Sequence, residues 1–554
     1  MLYTADFETT TKLDPITGDV RVWATGICEI NDNFNFSYGN NINFLYEVAL
    51  DNPNSTFYFH NEKFDGEFIL NDLFRKGYSF TNSRKLKPGQ FTTLISDKGV
   101  WYSLEVQLSE DNKMTIYDSL KIITLSVQNV AKAFGLEESK LEIDYNLERP
   151  IGYKLTNKEV KYLRADVTIM AKALHKLFEQ GMTQMTQGSN ALQDYKKIVG
   201  KTAFKRWFPV PKYDYFIRQS YKGGFTYANP KYKNKDIKEG IVLDVNSLYP
   251  SVMYYEKLPY GEGVFYEGNY KKDKLYNLYV QLFICSFELK ENHIPTIQLK
   301  NSLSFVPTEY LESSNGEEVA LYLTNVDLEL FLEHYDVYDI NYIEGWKFKS
   351  TTGLFKEYID KWNNIKVEST LNGNEGMRTI AKLMLNSLYG KFALNPNVCS
   401  KIPYFENNMV KYRKGEDETR EPIYIPVGVF ITSYARNKTI RSAQKVYDRF
   451  LYADTDSLHL IGTEIPECLE VDPVKLGAWK HESTFTRARF VRAKTYIEEI
   501  KGKLHITCAG MPEKCYDNVT WENFVPGTSY GGKLQFHHVP GGIILKDIDF
   551  TIQM

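Results

Sequence analysis

The chain has 554 residues, more than one hydrophobic core holds, so several domains are expected. Its composition is that of an ordinary globular protein, 43% hydrophobic and 25% charged, and no run approaches the roughly 20 apolar residues of a membrane span. A net charge of −3 argues against a simple DNA-coating protein, and six scattered Cys without a CxxC pair argue against a zinc ribbon.

The N-terminus, MLYTADFETTT, lacks a basic region followed by an apolar run of signal length, which together with the irregular Cys pattern predicts a cytoplasmic protein with free thiols. Residues 1–185 alternate strand and helix patterns and read as an α/β domain. A strand is predicted at Leu2–Phe7, running into Asp6-Phe7-Glu8, and another at Ser55–Phe59. Helices are predicted near Phe64–Phe74 and at Asn157–Glu179. Side chains two apart on a strand share a face, so Asp6 and Glu8 point together and Phe7 points to the core. Two adjacent carboxylates repel unless a cation lies between them. Asp65, in Asn61-Glu62-Lys63-Phe64-Asp65, and Asp166 add acids from two further segments, and Tyr162 lies one helical turn before Asp166. Four acids from three segments can surround two Mg²⁺ ions, with Tyr162 orienting a water.

Between Tyr195 and Gly240 twelve Lys or Arg face only three acids, interleaved with Tyr and Phe, a pattern that suits phosphate contact. Gly240–Val245 reads as a buried strand that leads Asp244 into a turn at Tyr249-Pro250. An acid at the end of a buried strand is costly unless it is paired or metal-bound. Residues 256–354 carry aromatics and short strand-like runs and read as an inserted module. Lys356–Phe392 reads as helix, 394–422 as a polar interruption, and Phe430–Phe450 as a second helix. On the first of these, Lys382, Asn386 and Tyr389 share one polar face. FLYADTDSLHLIG is a strand–turn–strand. Asp454 and Asp456 can share its face, and no Lys or Arg within YADTDS neutralises them, so a cation partner is inferred. Asp244 and Asp456 can then bridge two Mg²⁺ ions for in-line nucleotidyl transfer. The last 45 or so residues read as a small terminal module of turns and short strands.

In this order DxE, NxxFD and YxxxD resemble the three exonuclease motifs of the family B DNA polymerases. DVNSLYPS, KLMLNSLYG and YADTDS resemble their three polymerase motifs. Lys494-Thr495-Tyr496 is similar to the KxY motif, and Tyr221-Lys222-Gly223-Gly224 to the YxGG/A linker. The likeness, nearest to the protein-primed branch, covers nearly the whole chain. Arg378 stands where that branch carries Lys, and Ala453 where it often carries Cys.

The resemblance implies an α/β multidomain fold: an RNase H-like 3′–5′ exonuclease domain joined to a right-handed palm, fingers and thumb with two insertions. The expected boundaries are exonuclease 1–185, palm 186–255 and 423–509, terminal-protein regions 256–354 and 394–422, fingers 355–393 and thumb 510–554. Asp6, Glu8, Asp65 and Asp166 would bind exonuclease metals, with Tyr162 and Lys140 at the scissile phosphate. His60, Asn61, Phe64, Ser119, Leu120 and Tyr145 would hold the frayed primer end. Asp244, Val245 and Asp456 would bind polymerase metals, with Asp454 in support. Tyr249 would exclude a 2′-OH. Lys366, Arg378 and Lys382 would grip phosphates, and Asn386 and Tyr389 would line the nascent base pair. Lys494 and Tyr496 would hold the primer, and Tyr221, Gly223 and Gly224 would contact DNA. The implied cofactor is Mg²⁺, two per site, with Mn²⁺ as a substitute. The implied partners are template and primer DNA, dNTPs and a priming protein, for a monomer working in the cytoplasm of a viral host. The competing readings are an exonuclease-dominated repair enzyme and a non-catalytic DNA-binding scaffold.

Overall fold

A computed structural model describes residues 1–83, 85–138, 141–145, 147–298 and 310–553. The N-terminal part is a mixed eight-stranded sheet. In spatial order its strands are Phe36–Gly39, Val22–Glu29, Leu2–Thr9, Thr56–Phe59, Asn112–Asp118, Trp101–Ser109, Gln90–Ile95 and Ser79–Phe80. The Leu2–Thr9 strand runs antiparallel to Val22–Glu29 and parallel to Thr56–Phe59, and lies inside the sheet. The expected helix Asn157–Glu179 forms with those bounds. Its start is fixed by a capping box in which Thr156 and Glu159 satisfy each other's backbone N–H groups. It lies so close to the sheet that a Cβ on Gly26 would fall 2.5 Å from Cγ of Leu163.

A second sheet of five antiparallel strands occupies the centre, in the order Trp479–Phe485, Gly240–Val245, Ser457–Ile461, Phe450–Asp454 and Thr226–Ala228. The long helix Ile425–Lys445 packs beneath it, starting five residues before the expected Phe430. The expected turn at Tyr249-Pro250 is instead the first turn of a helix, Leu248–Tyr255. The reversal is made earlier by Ser247, at φ 53°, and Pro is tolerated in a first helical turn because its missing N–H has no partner there anyway.

The described residues of 258–351 form a four-stranded sheet and a short two-stranded ladder, Ile297–Gln298 with Tyr310–Leu311, together with the helix Asn325–His334. Lys356–Phe392 is a helical hairpin, Lys356–Leu371 against Glu375–Ser387, broken at Asn372-Gly373-Asn374 and continued by the short Tyr389–Phe392. The polar stretch after it is a β-hairpin, Asn397–Glu406 with Met409–Thr419. The terminal module ends in another, Ser529–Val539 with Gly542–Thr551, longer than the short strands expected. No helix among the described residues is long and apolar enough to cross a membrane.

Both hairpins come back to rest on the N-terminal part. Val410 and Ile543 join its core, Phe405 stacks on Phe74, and the N–H of Val20 donates to the carbonyl of Pro540 at 2.9 Å. The two arms meet at one buried side chain. Glu67, on the helix Glu62–Arg75, accepts from the Tyr412 hydroxyl at 2.8 Å and lies 3.2 Å from Nε2 of His538. Glu67 raises the His538 pKa above the ordinary imidazole value, against the opposing effects of burial and of Lys63 and Lys401. A raised pKa means this ion pair contributes fully at low pH and is lost as pH climbs through the shifted value. The stability of the wild type relative to Glu67→Gln should therefore fall as pH rises from the ordinary imidazole range through the raised His538 value, followed by thermal melts. A difference independent of pH would remove the ion pair from the account.

Candidate functional site: two carboxylate centres

The first centre lies at the end of the Leu2–Thr9 strand, in a cavity of about 920 Å³. Its walls include Asp6, Glu8, His60, Asn61, Phe64, Leu120, Tyr145, Tyr162 and Asp166 from five separate segments. The terminal hairpin contributes Leu534 and Leu545. Asp65 sits behind this wall, 4% exposed, and the N–H of Phe7 donates to its carboxylate. Its Oδ1 has no hydrogen-bond partner among the described residues. Burial, and then the neighbouring Asp6, push its carboxyl well above the usual range. A buried carboxylate with an orphaned oxygen beside a second carboxylate fits a bound cation. Tyr162 is buried, and its hydroxyl is 2.8 Å from that of Tyr145. Burial and the charges of Glu8 and Asp166 raise its pKa far above the usual phenol, so it stays a neutral hydrogen-bonding group.

Ser119 lies under the cavity. Its Oγ is 3.0 Å from Nδ1 of His60 and donates to the carbonyl of Phe59. Lys140 lies outside the described residues. Sequence reasoning missed Asp118, which is fully buried and accepts from the N–H groups of both Asn61 and Leu120. The signal was present: an acid ending a strand directly before Ser119-Leu120. It also missed Glu62, fully buried with neither carboxylate oxygen hydrogen-bonded among the described residues. Burial, then Asp118 and Asp65, favour its neutral acid form.

The second centre sits on the central sheet. Asp244 and Ser457 are register partners, as are Asp454 and Ser457, which brings both acidic segments to one sheet end. The N–H of Val245 donates to the Asp456 carbonyl at 2.8 Å. The Val245 side chain is in the core, so only its main-chain carbonyl can serve an ion. Burial, and then Asp456, raise the Asp244 carboxyl to about 6, and burial also raises that of Asp456. Thr455 makes the turn between Asp454 and Asp456 at φ 58°. It is held by the carbonyl of Phe225 and by the Thr439 hydroxyl. A Cβ on Gly224 would fall 2.4 Å from Oγ1 of Thr455, so the linker motif needs glycine there to let this turn seat. At Gly223 the space is open. Arg436 ties the same linker down, donating to the carbonyls of Lys222 and Gly223 while its guanidinium pairs with Asp327 at 2.6 Å.

One expectation is corrected here. Asp454 does have a basic partner, Lys494, with Nζ 3.2 Å from Oδ1, and it accepts from Thr226 as well. The cation comes from a distant strand turn, where Lys494 adopts φ 55° and its N–H donates to the Tyr452 hydroxyl. Tyr496 packs against the Tyr452 ring, 4.9 Å between centroids. A second correction concerns chelation. Among the described residues no three Asp, Glu, His or Cys side chains gather closely enough to chelate an ion by themselves. Mg²⁺ commonly takes one or two protein carboxylates and fills its shell with substrate phosphates and water, and Asp244 with Asp456 fits that mode.

The helical hairpin faces this centre. Arg378, Lys382 and Asn386 lie along the exposed face of Glu375–Ser387, and Tyr389 follows. Tyr389 and Tyr249 stack with centroids 4.0 Å apart. The half-buried Lys366 has its pKa lowered by desolvation and then by Lys382, Arg378 and Lys480. Cations crowded against one another next to two carboxylates mark a place built for a polyanion.

The family model described as DNA polymerase type B, organellar and viral, matches residues 47–149 and 139–472. The chain is similar to the DNA polymerase of Bacillus phage phi29, 47% identical over 580 aligned positions that cover 100% of this chain and 99% of that one. It is also similar to the DNA polymerase of Streptococcus phage Cp-1, 33% identical over 100% and 98%. Its structure is similar to that of phi29 DNA polymerase with primer-template DNA and incoming nucleotide, with a TM-score of 0.93, 47% identity and full coverage of both chains.

Proposed function

The chain belongs to the organellar and viral type B DNA polymerases, and from that membership we propose that it replicates a viral genome by protein-primed, processive, strand-displacing synthesis and proofreads with its own 3′–5′ exonuclease. Its fold is the multidomain one of family B polymerases, with an exonuclease domain and palm, fingers and thumb. The observation that carries the reading is the pair of separated carboxylate centres, one around Asp6 and Asp65 and one around Asp244 and Asp456.

Type B polymerases use divalent ions, and a pair held at each centre would lower the charge cost of attack and of departure at phosphorus. The chain's own residues do the rest. Asp244, Asp456 and the carbonyl of Val245 would hold the polymerase cations. Lys366, Arg378 and Lys382 bind the triphosphate. Tyr249 and Tyr389, stacked on each other, would form the floor under the new pair, where Tyr249 would exclude a 2′-hydroxyl. Asn386 lines that pair. Lys494 and Tyr496 position the primer, and Lys494 also fixes Asp454. At the other centre Asp6, Glu8, Asp65 and Asp166 serve the cleaved phosphate with Tyr162 and Lys140. His60, Asn61, Phe64, Ser119, Leu120 and Tyr145 grip the frayed strand.

The proposed division of the chain places exonuclease at 1–185, palm at 186–255 and 423–509, fingers at 355–393 and thumb at 510–554. The insertions 256–354 and 394–422 dock the priming protein and close a ring on DNA. Support for the ring comes from the 397–419 and 529–551 hairpins, which converge on Glu67. Release from a closed ring requires opening protein contacts rather than breaking salt-sensitive phosphate contacts alone. Phi29 DNA polymerase has been solved with primer-template DNA, and we assign the same class of partner here. On a primed single-stranded circle with four dNTPs and no accessory protein, products many circle-lengths long are expected. Products that stop at one circle would refute strand displacement, and degradation without extension would favour an exonuclease-dominated repair enzyme.

A further inference from the structure

We propose that Lys480 is a substrate-binding residue of the polymerase centre, its ammonium holding a phosphate oxygen of the incoming triphosphate and of the departing pyrophosphate. The inference rests on the reading of Asp244 and Asp456 as the polymerase carboxylates. It goes beyond that reading because Lys480 belongs to none of the recognised motifs.

Strands Gly240–Val245 and Trp479–Phe485 are antiparallel neighbours, and Asp244 stands directly opposite Lys480. Directly opposed side chains in an antiparallel pair lie on the same face of the sheet, about 5 Å apart at Cβ. The next pair, Val245 with Trp479, points into the core, so Asp244 and Lys480 both point out at the active end. The Lys480 charge reaches Asp244 on one side and Lys366 on the other. Lys366, Arg378 and Lys382 all approach from the helical hairpin, whereas Lys480 approaches from the sheet. A polyanion seated between them is therefore gripped from both sides, and the sheet-borne cation sits beside the carboxylate that anchors it.

The Lys480 ammonium lies 2.6 Å from the Glu482 carboxylate. Both side chains are well exposed, at 34% and 53%. A solvated pair of that kind is weak and gives way readily to a phosphate, which offers more charge and more acceptors.

Single-nucleotide incorporation and pyrophosphorolysis by full-length Lys480→Ala, Lys480→Arg and Glu482→Gln on primer-template DNA test this. Loss of one charge-assisted phosphate contact should raise KM for dNTP, and KM for pyrophosphate with it, by about tenfold. The change in kcat should stay within about threefold, the signature of lost ground-state binding. Lys480→Arg should recover most of the affinity, and Glu482→Gln should not weaken it. The 3′–5′ degradation rate, read at the separate centre, reports that each variant is folded. Unchanged KM for both ligands in Lys480→Ala would overturn the proposal. So would a loss confined to kcat with a shifted pH profile, since Lys480 would then act only as counter-ion to Asp244. Failure of the underlying reading looks different: Asp456→Ala would still incorporate nucleotide.

Discussion

Asp456→Ala is expected to abolish nucleotide incorporation, by about a thousandfold or more, while primer-template binding and 3′ degradation persist. Cation stabilisation at phosphorus is worth several kcal/mol, and each 1.4 kcal/mol is about a factor of ten in rate. Asp456 has no substitute in place. Asp454 is held by Lys494 and Thr226, and the Asp456 main chain is already committed to Val245 and Asp454. The variant has a second signature. Asp244 is raised to about 6, by burial first and by Asp456 next. Removing Asp456 removes one upward push, so Asp244 in the metal-free variant should ionise at lower pH than in the wild type, read by carboxyl NMR. In the wild type, protons compete with cations for Asp244 below that pH, so Mg²⁺ affinity at this centre should weaken as pH falls through about 6. Synthesis that survives Asp456→Ala would remove the central sheet from the mechanism.

The double variant Asp6→Ala with Glu8→Ala should lose 3′ degradation by a comparable factor, about a thousandfold or more, and keep extension. Both side chains line the cavity, and Asp6 is the charge that bears on the buried Asp65. With Asp6 and Glu8 gone, only Asp65 and Asp166 remain of the four acids, too few to hold a pair of cations against the cost of burying Asp65. The polymerase centre shares no residue with this cavity and should be untouched. Misincorporated ends should then be extended or stall instead of being trimmed. Degradation at the wild-type rate would refute the assignment of the first centre.

How much of this was readable from the chain depends on the range of the physics involved. Asp6 and Glu8 on one strand face, the helix Asn157–Glu179, and the buried strand before Asp244 are local patterns, and each forms with its expected identity. The turn expected at Tyr249-Pro250 failed for a local reason as well. Proline reads as a breaker, but in a first helical turn it costs nothing, and Ser247 had already reversed the chain. What stayed hidden is long-range. Lys494 is forty residues from Asp454, and only the fold places its ammonium on that carboxylate. Lys480 acquires meaning from being opposite Asp244, and strand order is not written in either segment. Glu67 carries no local signal of its role, because its partners Tyr412 and His538 come from two separate hairpins. Gly224 was flagged by motif alone, whereas its reason is the Thr455 side chain more than two hundred positions away.

Mn²⁺ carries an anomalous X-ray signal, so a crystal of the complex with primer-template DNA, a non-hydrolysable nucleotide and Mn²⁺ can locate the cations directly. The account predicts anomalous peaks within bonding distance of Asp244 and Asp456, and, in a second crystal with a single-stranded 3′ end, near Asp6 and Asp65. Empty difference maps at both places, with those carboxylates turned to basic side chains instead, would contradict it.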